Sequence, residues 1–419
     1  MILDRTLDNG MRVIAEKLDN VRSAAISISV NAGTVDERKD EAGISHFIEH
    51  MVFKGTNKRS ALDIARDMDA VGGSLNAGTS RENTRFYAKV LDEHLPTAID
   101  VLSDMVLNPK FDSNDIELEK GVVCDEILMS QDDPDDLVVQ RIQELYYGED
   151  PLSRSVLGTS EAVRGFTEDN LRKYMERRYA PNNMIVTCAG NVDPQRLMDE
   201  IGERFGDLKP RDIERREYGS ARGERQSASI DRSDLEQTHI ELAYPSFGFN
   251  EECRYPLMVI NSLLGGGMSS RLFQNIREKR GLVYSVGSMP VSFFRSGYLG
   301  LFASTAAKQA QTVLELMLDE MRKLKQDGIT QRELDFTREQ LKGNFIIWNE
   351  GTSAHASMLA KYACAGMPLM TEDEMLSRLD SIDLESVLRI IPHVCDEDKL
   401  CSVFAGKDCS ALVEFMTNG

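Results

Sequence analysis

No apolar run in this chain approaches the roughly 20 residues that a membrane-spanning helix needs, so no transmembrane helix is expected. Tryptophan occurs once and histidine only six times in 419 residues. The seven cysteines are odd in number and include no C-x-x-C pair. That excludes a disulfide framework and a thiolate-built zinc ribbon. The cysteines fall in apolar settings such as Val122-Val123-Cys124 and Val186-Thr187-Cys188, where they read as reduced, buried side chains. Positive charge is also short: 49 Lys and Arg against 69 Asp and Glu give a net charge of -20. Such a surface repels phosphates, so no nucleic-acid partner is expected. It is compatible with basic peptides as partners, although a solvated acidic surface is the simpler reading. The opening Met1-Ile2-Leu3-Asp4-Arg5-Thr6 has no basic start, apolar stretch or small-residue cleavage site. A cytoplasmic location is therefore expected.

A chain of 419 residues is too long for one core and suits two domains of about 200. The order of elements supports a duplication. In the first half, strand-like runs at 11–15 and 24–30 precede a short helix at 44–53 and a second at 60–71. Alternating segments at 74–77 and 84–90 follow, then helices at 94–107 and 112–129, a strand at 184–189 and a helix at 194–205. The second half repeats this order: a strand at 239–244, helices at 253–264 and 269–279, and alternating segments at 283–286 and 297–303. Helices at 307–325 and 330–349 and a strand at 400–406 complete it. Residues 209–226 are polar and lack apolar periodicity, as a linker would. The expected domains are 1–208 and 227–419, with the linker between them. The expected fold is α+β: two homologous sandwich-like α/β domains, each an antiparallel-rich sheet packed with helices.

Chemistry concentrates in His46-Phe47-Ile48-Glu49-His50, an H-x-x-E-H pattern. On a helix, positions i and i+4 share a face, so both imidazoles can reach one metal ion. Glu49 lies on nearly the same face and can take a proton from water. This is the zincin order reversed. Ile44, Phe47, Ile48 and Met51 recur at helical spacing, which predicts a largely buried helix. Two His and a Glu inside such a helix are costly unless paired or metal-bound. The corresponding second-half segment, residues 257–264, has neither His nor Glu, so only the first half is equipped for metal.

Two His do not complete a hydrolytic zinc site, which usually has three protein ligands and water. Glu119 and Glu126 lie seven residues apart, on one face of the 112–129 helix. One could ligate while the other holds an imidazole N–H. An ordinary solvated acidic helix has the same composition.

The chain resembles the pitrilysin/insulinase zinc metallopeptidases, the inverzincins, in their short two-domain branch that includes mitochondrial processing peptidase. The resemblance spans nearly the whole chain. It rests on Gly43 through Thr56, on Gly72-Gly73-Ser74-Leu75-Asn76-Ala77, and on Glu119 through Glu126. It continues in Leu264 through Phe273 and in Arg277 through Tyr284. It implies that His46, His50 and Glu126 ligate one Zn2+ per chain, that Glu49 is the general base, and that Glu119 orients the ligands. It further implies that Asn76 and Ala77 lie on an edge strand that pairs with substrate, and that Arg277 and Tyr284 bind substrate near the scissile carbonyl. The implied activity is that of a zinc metalloendopeptidase acting on short or unfolded peptides in a chamber between half-shells, as a homodimer. Two other readings share the fold: a non-catalytic or partner-dependent processing subunit, and a peptidase that matures a peptide-derived cofactor.

Weaker signals carry less. Gly265-Gly266-Gly267 lacks the phosphate-loop pattern and follows a helix, so it reads as a helix stop. The run Gln131 to Asp136 could meet basic side chains, but an acidic turn is the simpler reading. His94, His239, His355 and His393 have no partners at ligand spacing and read as structural or exposed.

Overall fold

In the first sheet, β1 spans Ile2–Thr6, β2 Arg12–Lys17, β3 Ser23–Val30, β4 Ser74–Thr79, β5 Thr84–Leu91 and β6 Met184–Gly190. The computed structural model describes residues 2–418. The strand order is β1-β2-β6-β3-β5-β4. Every neighbouring pair is antiparallel except β2 and β6. In β3 the residues of both parities are buried, so the sheet is covered on both faces. Ala24, Ile26, Ile28 and Val30 face the main core, which also holds Ile44, Phe47, Ile48 and Met51. Ala25 faces a smaller cluster with Ile14, Ile185 and Ala189.

The second sheet comprises β7 (Gln226–Asp231), β8 (Gln237–Pro245), β9 (Val283–Ser292), β10 (Gly297–Ala306) and β11 (Cys401–Gly406). Its order is β7-β11-β8-β10-β9, with β7 and β11 parallel. Setting β2-β6-β3-β5-β4 beside this order gives the same connectivity and the same single parallel pair. The duplication is therefore present in the topology, and β1 is an addition to the first copy. The α+β class follows from the two sheets and their helices.

The structure divides differently from two contiguous halves. One compact unit holds the chain through Leu128 with Arg154–Glu217 and Ile347–Leu369. The other holds Met129–Ser153, Tyr218–Ile346 and the chain from Met370. Each sheet thus takes a helix from the opposite half of the sequence. In the first unit, helix Thr352–Cys364 lays Ala356, Leu359 and Ala363 on Ile14, Ala25, Ile185 and Ala189. His355 Nδ1 meets Glu16 Oε2 at 2.8 Å, giving that histidine a structural partner. In the second unit, helix Pro134–Tyr147 packs on β8 and β11, and Gln143 donates to the Tyr298 hydroxyl at 3.1 Å.

Three local readings change. The acidic run at 131–136 is not a turn: helix Ser113–Asp132 continues through its first residues and helix Pro134–Tyr147 starts immediately after. Asp133 Oδ1 caps the second helix by accepting from Asp135 N and Asp136 N, at 2.8 and 3.2 Å. Acidic residues there complement the helix dipole, and Pro134 fits the first turn. The 269–279 helix is instead a π-helical stretch, Phe273–Glu278. Residues 209–225 carry no helix or strand, β7 begins at Gln226, and one of the crossings between the units falls within this stretch, at 217/218. Among the described residues, no helix is long and apolar enough to cross a membrane.

Candidate metal centre

The H-x-x-E-H helix spans Ile44–Met51 and begins at Gly43, whose φ of 89° lies in the left-handed region. A Cβ at Gly43 would come within 2.6 Å of the Leu157 carbonyl oxygen, so glycine is needed for both conformation and space. Gly43 offers no capping side chain. The fully buried Glu37 carboxylate supplies the cap instead, accepting from Gly43 N at 2.8 Å and Ser45 N at 2.9 Å. Burial pushes the Glu37 carboxyl up to about 7, above its ordinary 4.5, despite those two hydrogen bonds. The folded state therefore binds the proton more tightly than the unfolded chain. Glu37 contributes most to stability below about pH 4.5, and this contribution is lost as pH rises toward 7. Comparing metal-free wild type with Glu37→Gln, the difference in unfolding free energy should drift across pH 5–7 in that direction. Parallel profiles would contradict it.

His46 and His50 lie one turn apart with ring centroids 4.6 Å apart. Glu126, on helix Ser113–Asp132, approaches both: its Oε2 is 3.6 Å from His46 Nε2 and 3.5 Å from His50 Nε2. One donor atom from each of the three residues lies within 4.8 Å of the others. Donors around a tetrahedral zinc at about 2.0–2.1 Å stand roughly 3.3–3.5 Å apart, so the spacing suits such an ion.

The proton inventory agrees. His50 Nδ1 faces Glu119 Oε1 at 2.8 Å. With the proton on Nδ1, Nε2 presents a lone pair. Burial, with repulsion from His50, lowers His46 to about 4 and keeps it neutral. Among the described residues, its buried Nδ1 has no hydrogen-bond partner. With each imidazole proton on Nδ1, two lone pairs and a carboxylate converge, an arrangement that a divalent cation satisfies. The hydrogen bond to Glu119 raises the His50 pKa. Glu119 is itself buried, which opposes its ionisation, but the His50 and Lys54 contacts prevail and hold its pKa below the ordinary value.

Sequence reading missed two parts of this centre. Lys54 Nζ lies 2.5 Å from Glu119 Oε2, so Glu119 is clamped between His50 and Lys54. The i+4 spacing from His50 was the available signal. Thr79, the last residue of β4, hydrogen-bonds the Glu49 carboxylate, while Glu49 Oε2 is buried and has no hydrogen-bond partner among the described residues. Burial raises the Glu49 pKa, and the Thr79 bonds counter it only in part. Neutralising Lys54 as Lys54→Met should weaken zinc affinity by about 10–100-fold, read by chelator competition, because Glu119 loses its second restraint. Unchanged affinity would remove Lys54 from the support of the centre.

Among the described residues, β4 is a sheet edge and pairs with β5 alone. It carries Asn76 and Ala77, and Asn76 Oδ1 accepts from Ala77 N at 2.8 Å, a side-chain stopper on the backbone. Arg277 and Tyr284 belong to the second unit and lie together there. Arg277 sits in the π-helical stretch with its guanidinium 5.0 Å from the Phe273 ring centre and 5.6 Å from that of Tyr284. Tyr284 projects from the edge strand β9 and is 76% exposed.

Comparison with known proteins bears on the family and the fold. Residues 12–160 match the insulinase (peptidase family M16) model, and residues 165–341 match the peptidase M16 inactive domain model. The chain is 38% identical over 402 residues to the uncharacterized zinc protease YmxG of Bacillus subtilis, covering 95% of this chain and 97% of that one. It is 37% identical over 393 residues to the uncharacterized zinc protease Rv2782c of Mycobacterium tuberculosis, covering 93% of this chain and 90% of that one. Among solved structures, a protease from Helicobacter pylori has the same fold, with a TM-score of 0.91 and 22% identity over 97% of this chain and 99% of that one. Two family models that together span most of the chain, and relatives matched almost end to end, place this protein in peptidase family M16, the insulinase family.

Proposed function

We propose that this chain is a zinc-dependent endopeptidase that hydrolyses short or unfolded peptides. Family membership and the donor set support a peptidase role, and one observation carries the finer reading: ligand atoms of His46, His50 and Glu126 lie within 4.8 Å of one another. These three residues would hold one zinc ion per chain. When bound there, zinc supplies Lewis-acid chemistry, acidifying water and polarising a carbonyl. Glu49 takes a proton from the attacking water and delivers it to the leaving amine. Glu119, clamped by Lys54, fixes the His50 ring. An extended peptide adds to the edge of β4 at Asn76 and Ala77, displacing the Asn76 side chain from the Ala77 N–H. Such backbone pairing is tolerant of sequence.

Arg277 holds the substrate near the scissile bond, and the exposed Tyr284 hydroxyl donates to the developing oxyanion. In this reading the active form is a homodimer. Tyr284→Phe should lower kcat by up to about 10²-fold with zinc content unchanged. An unaltered kcat would remove Tyr284 from the mechanism. The test of the function is cleavage of a peptide library by the zinc-replete protein, read by mass spectrometry. Internal cuts that vanish on chelation and return with zinc are expected. Intact peptides at full zinc occupancy would overturn the reading.

A further inference from the structure

One face of the second sheet is covered only partly by helix Pro134–Tyr147 and encloses a cavity of about 340 Å³. Strand register places Glu241 of β8 opposite Phe302 of β10, and Gly300 of β10 opposite Met289 of β9, all with their neighbours lining this cavity. Gly300 leaves room for the acid, since a Cβ there would lie 2.9 Å from Glu241 Oε1. Glu241 is only 6% exposed. Among the described residues, its carboxylate has no hydrogen bond or ion pair, and no Lys or Arg lines the cavity. His239 is already engaged, with Nδ1 2.7 Å from Asp135 Oδ1 and 3.3 Å from Ser304 Oγ. Burial, aided by repulsion from Asp135, pushes the Glu241 carboxyl up to about 8.

An unpaired acid beneath apolar walls holds its proton unless a ligand supplies the missing positive charge, which favours its ionised form. Val138, Val139, Met289 and Phe302 offer contact to an aliphatic stem, while Glu241 and Asp135 offer acceptors to a cationic head. Met289, 58% exposed, and Phe302, 37% exposed, leave the entrance open. We propose that this cavity binds a basic side chain, arginine or lysine, of a peptide, with Glu241 as its counter-charge. The peptide origin of that side chain rests on the peptidase reading; the chemistry of the cavity does not. The site lies behind the acidic run that begins helix Pro134–Tyr147, and only Asp135 of that run lines it.

The test has two arms, both on the full zinc-replete chain. N-acetyl-arginine amide and its citrulline counterpart are titrated by NMR. The arginine probe should bind at least about tenfold tighter, as a charge-assisted contact requires. Glu241→Gln should erase that difference. Met289→Lys, at an exposed position, should erase it as well by placing an ammonium in the cavity. Equal binding of the two probes by wild type, or a preference that survives in Glu241→Gln, would overturn the proposal. In the second arm, quenched peptides differing only in arginine or citrulline are cleaved. A KM preference of about tenfold should disappear in Glu241→Gln while kcat holds. Cleavage with no such preference would sink the cavity proposal and leave the peptidase intact. Binding of the arginine probe without cleavage of any peptide would sink the peptidase reading and leave the cavity.

Discussion

Glu49→Gln should reduce peptide turnover by about 10²–10⁴-fold, the range for removal of a positioned general base, while zinc content stays at the wild-type level. The two halves of this expectation come from separate features. Glu49 is not among the three residues whose donor atoms converge, so its loss leaves the metal donors untouched. Its carboxylate instead contacts Thr79 on the edge strand proposed to carry substrate, and its Oε2 lacks a hydrogen-bond partner among the described residues. Glutamine keeps the size and the hydrogen bond but cannot carry a proton. Turnover at the wild-type rate in a zinc-replete variant would show that another group acts as base. Loss of zinc together with activity would show that Glu49 supports the metal.

Glu126→Gln should have the larger effect on the metal itself. It replaces the anionic donor that faces both Nε2 atoms at 3.5–3.6 Å. The drop in zinc affinity should exceed the roughly 100-fold upper range for loss of an outer partner, and activity should fall with it. Glu119→Gln sets the comparison. It leaves all three donors in place and disturbs only the His50 and Lys54 contacts, so its loss should stay near 10–100-fold. Competition with a chelator of known affinity ranks the two variants. An equal or reversed ranking would mean that Glu119, rather than Glu126, is the anionic ligand.

That ranking concerns the point at which spacing alone stopped. His46, Glu49 and His50 were legible because a helix fixes which residues share a face, and the apolar period of Ile44, Phe47, Ile48 and Met51 marked that helix. Glu119 and Glu126 were legible as a pair, but their roles came from family resemblance, since either carboxylate can face an imidazole. The structure separates them: Glu119 is buried against Nδ1 of His50, and Glu126 lies opposite the two Nε2 atoms. Glu37 was not legible as the helix cap because the chain must turn between 37 and 43 to bring it back. Thr79 reaches Glu49 only once β4 pairs with β5.

The duplication was legible because strand and helix periods recur, and the matching strand orders bear it out. The exchange of helices Pro134–Tyr147 and Thr352–Cys364 was not, because an apolar helix face does not name the sheet it will cover. Acids at 132–136 disguised one of those helices as a turn, although acids at a helix start are stabilised by the dipole. Glu241 was passed over for a similar reason: alternation in a strand gives the face of a residue, not what stands above it.

The most direct measurement is a crystal of the zinc-replete protein with data collected on both sides of the zinc absorption edge. The account predicts one strong anomalous peak per chain, at bonding distance from His46 Nε2, His50 Nε2 and a Glu126 oxygen. A peak elsewhere, or a Glu126 turned away from both imidazoles around a bound ion, would contradict it.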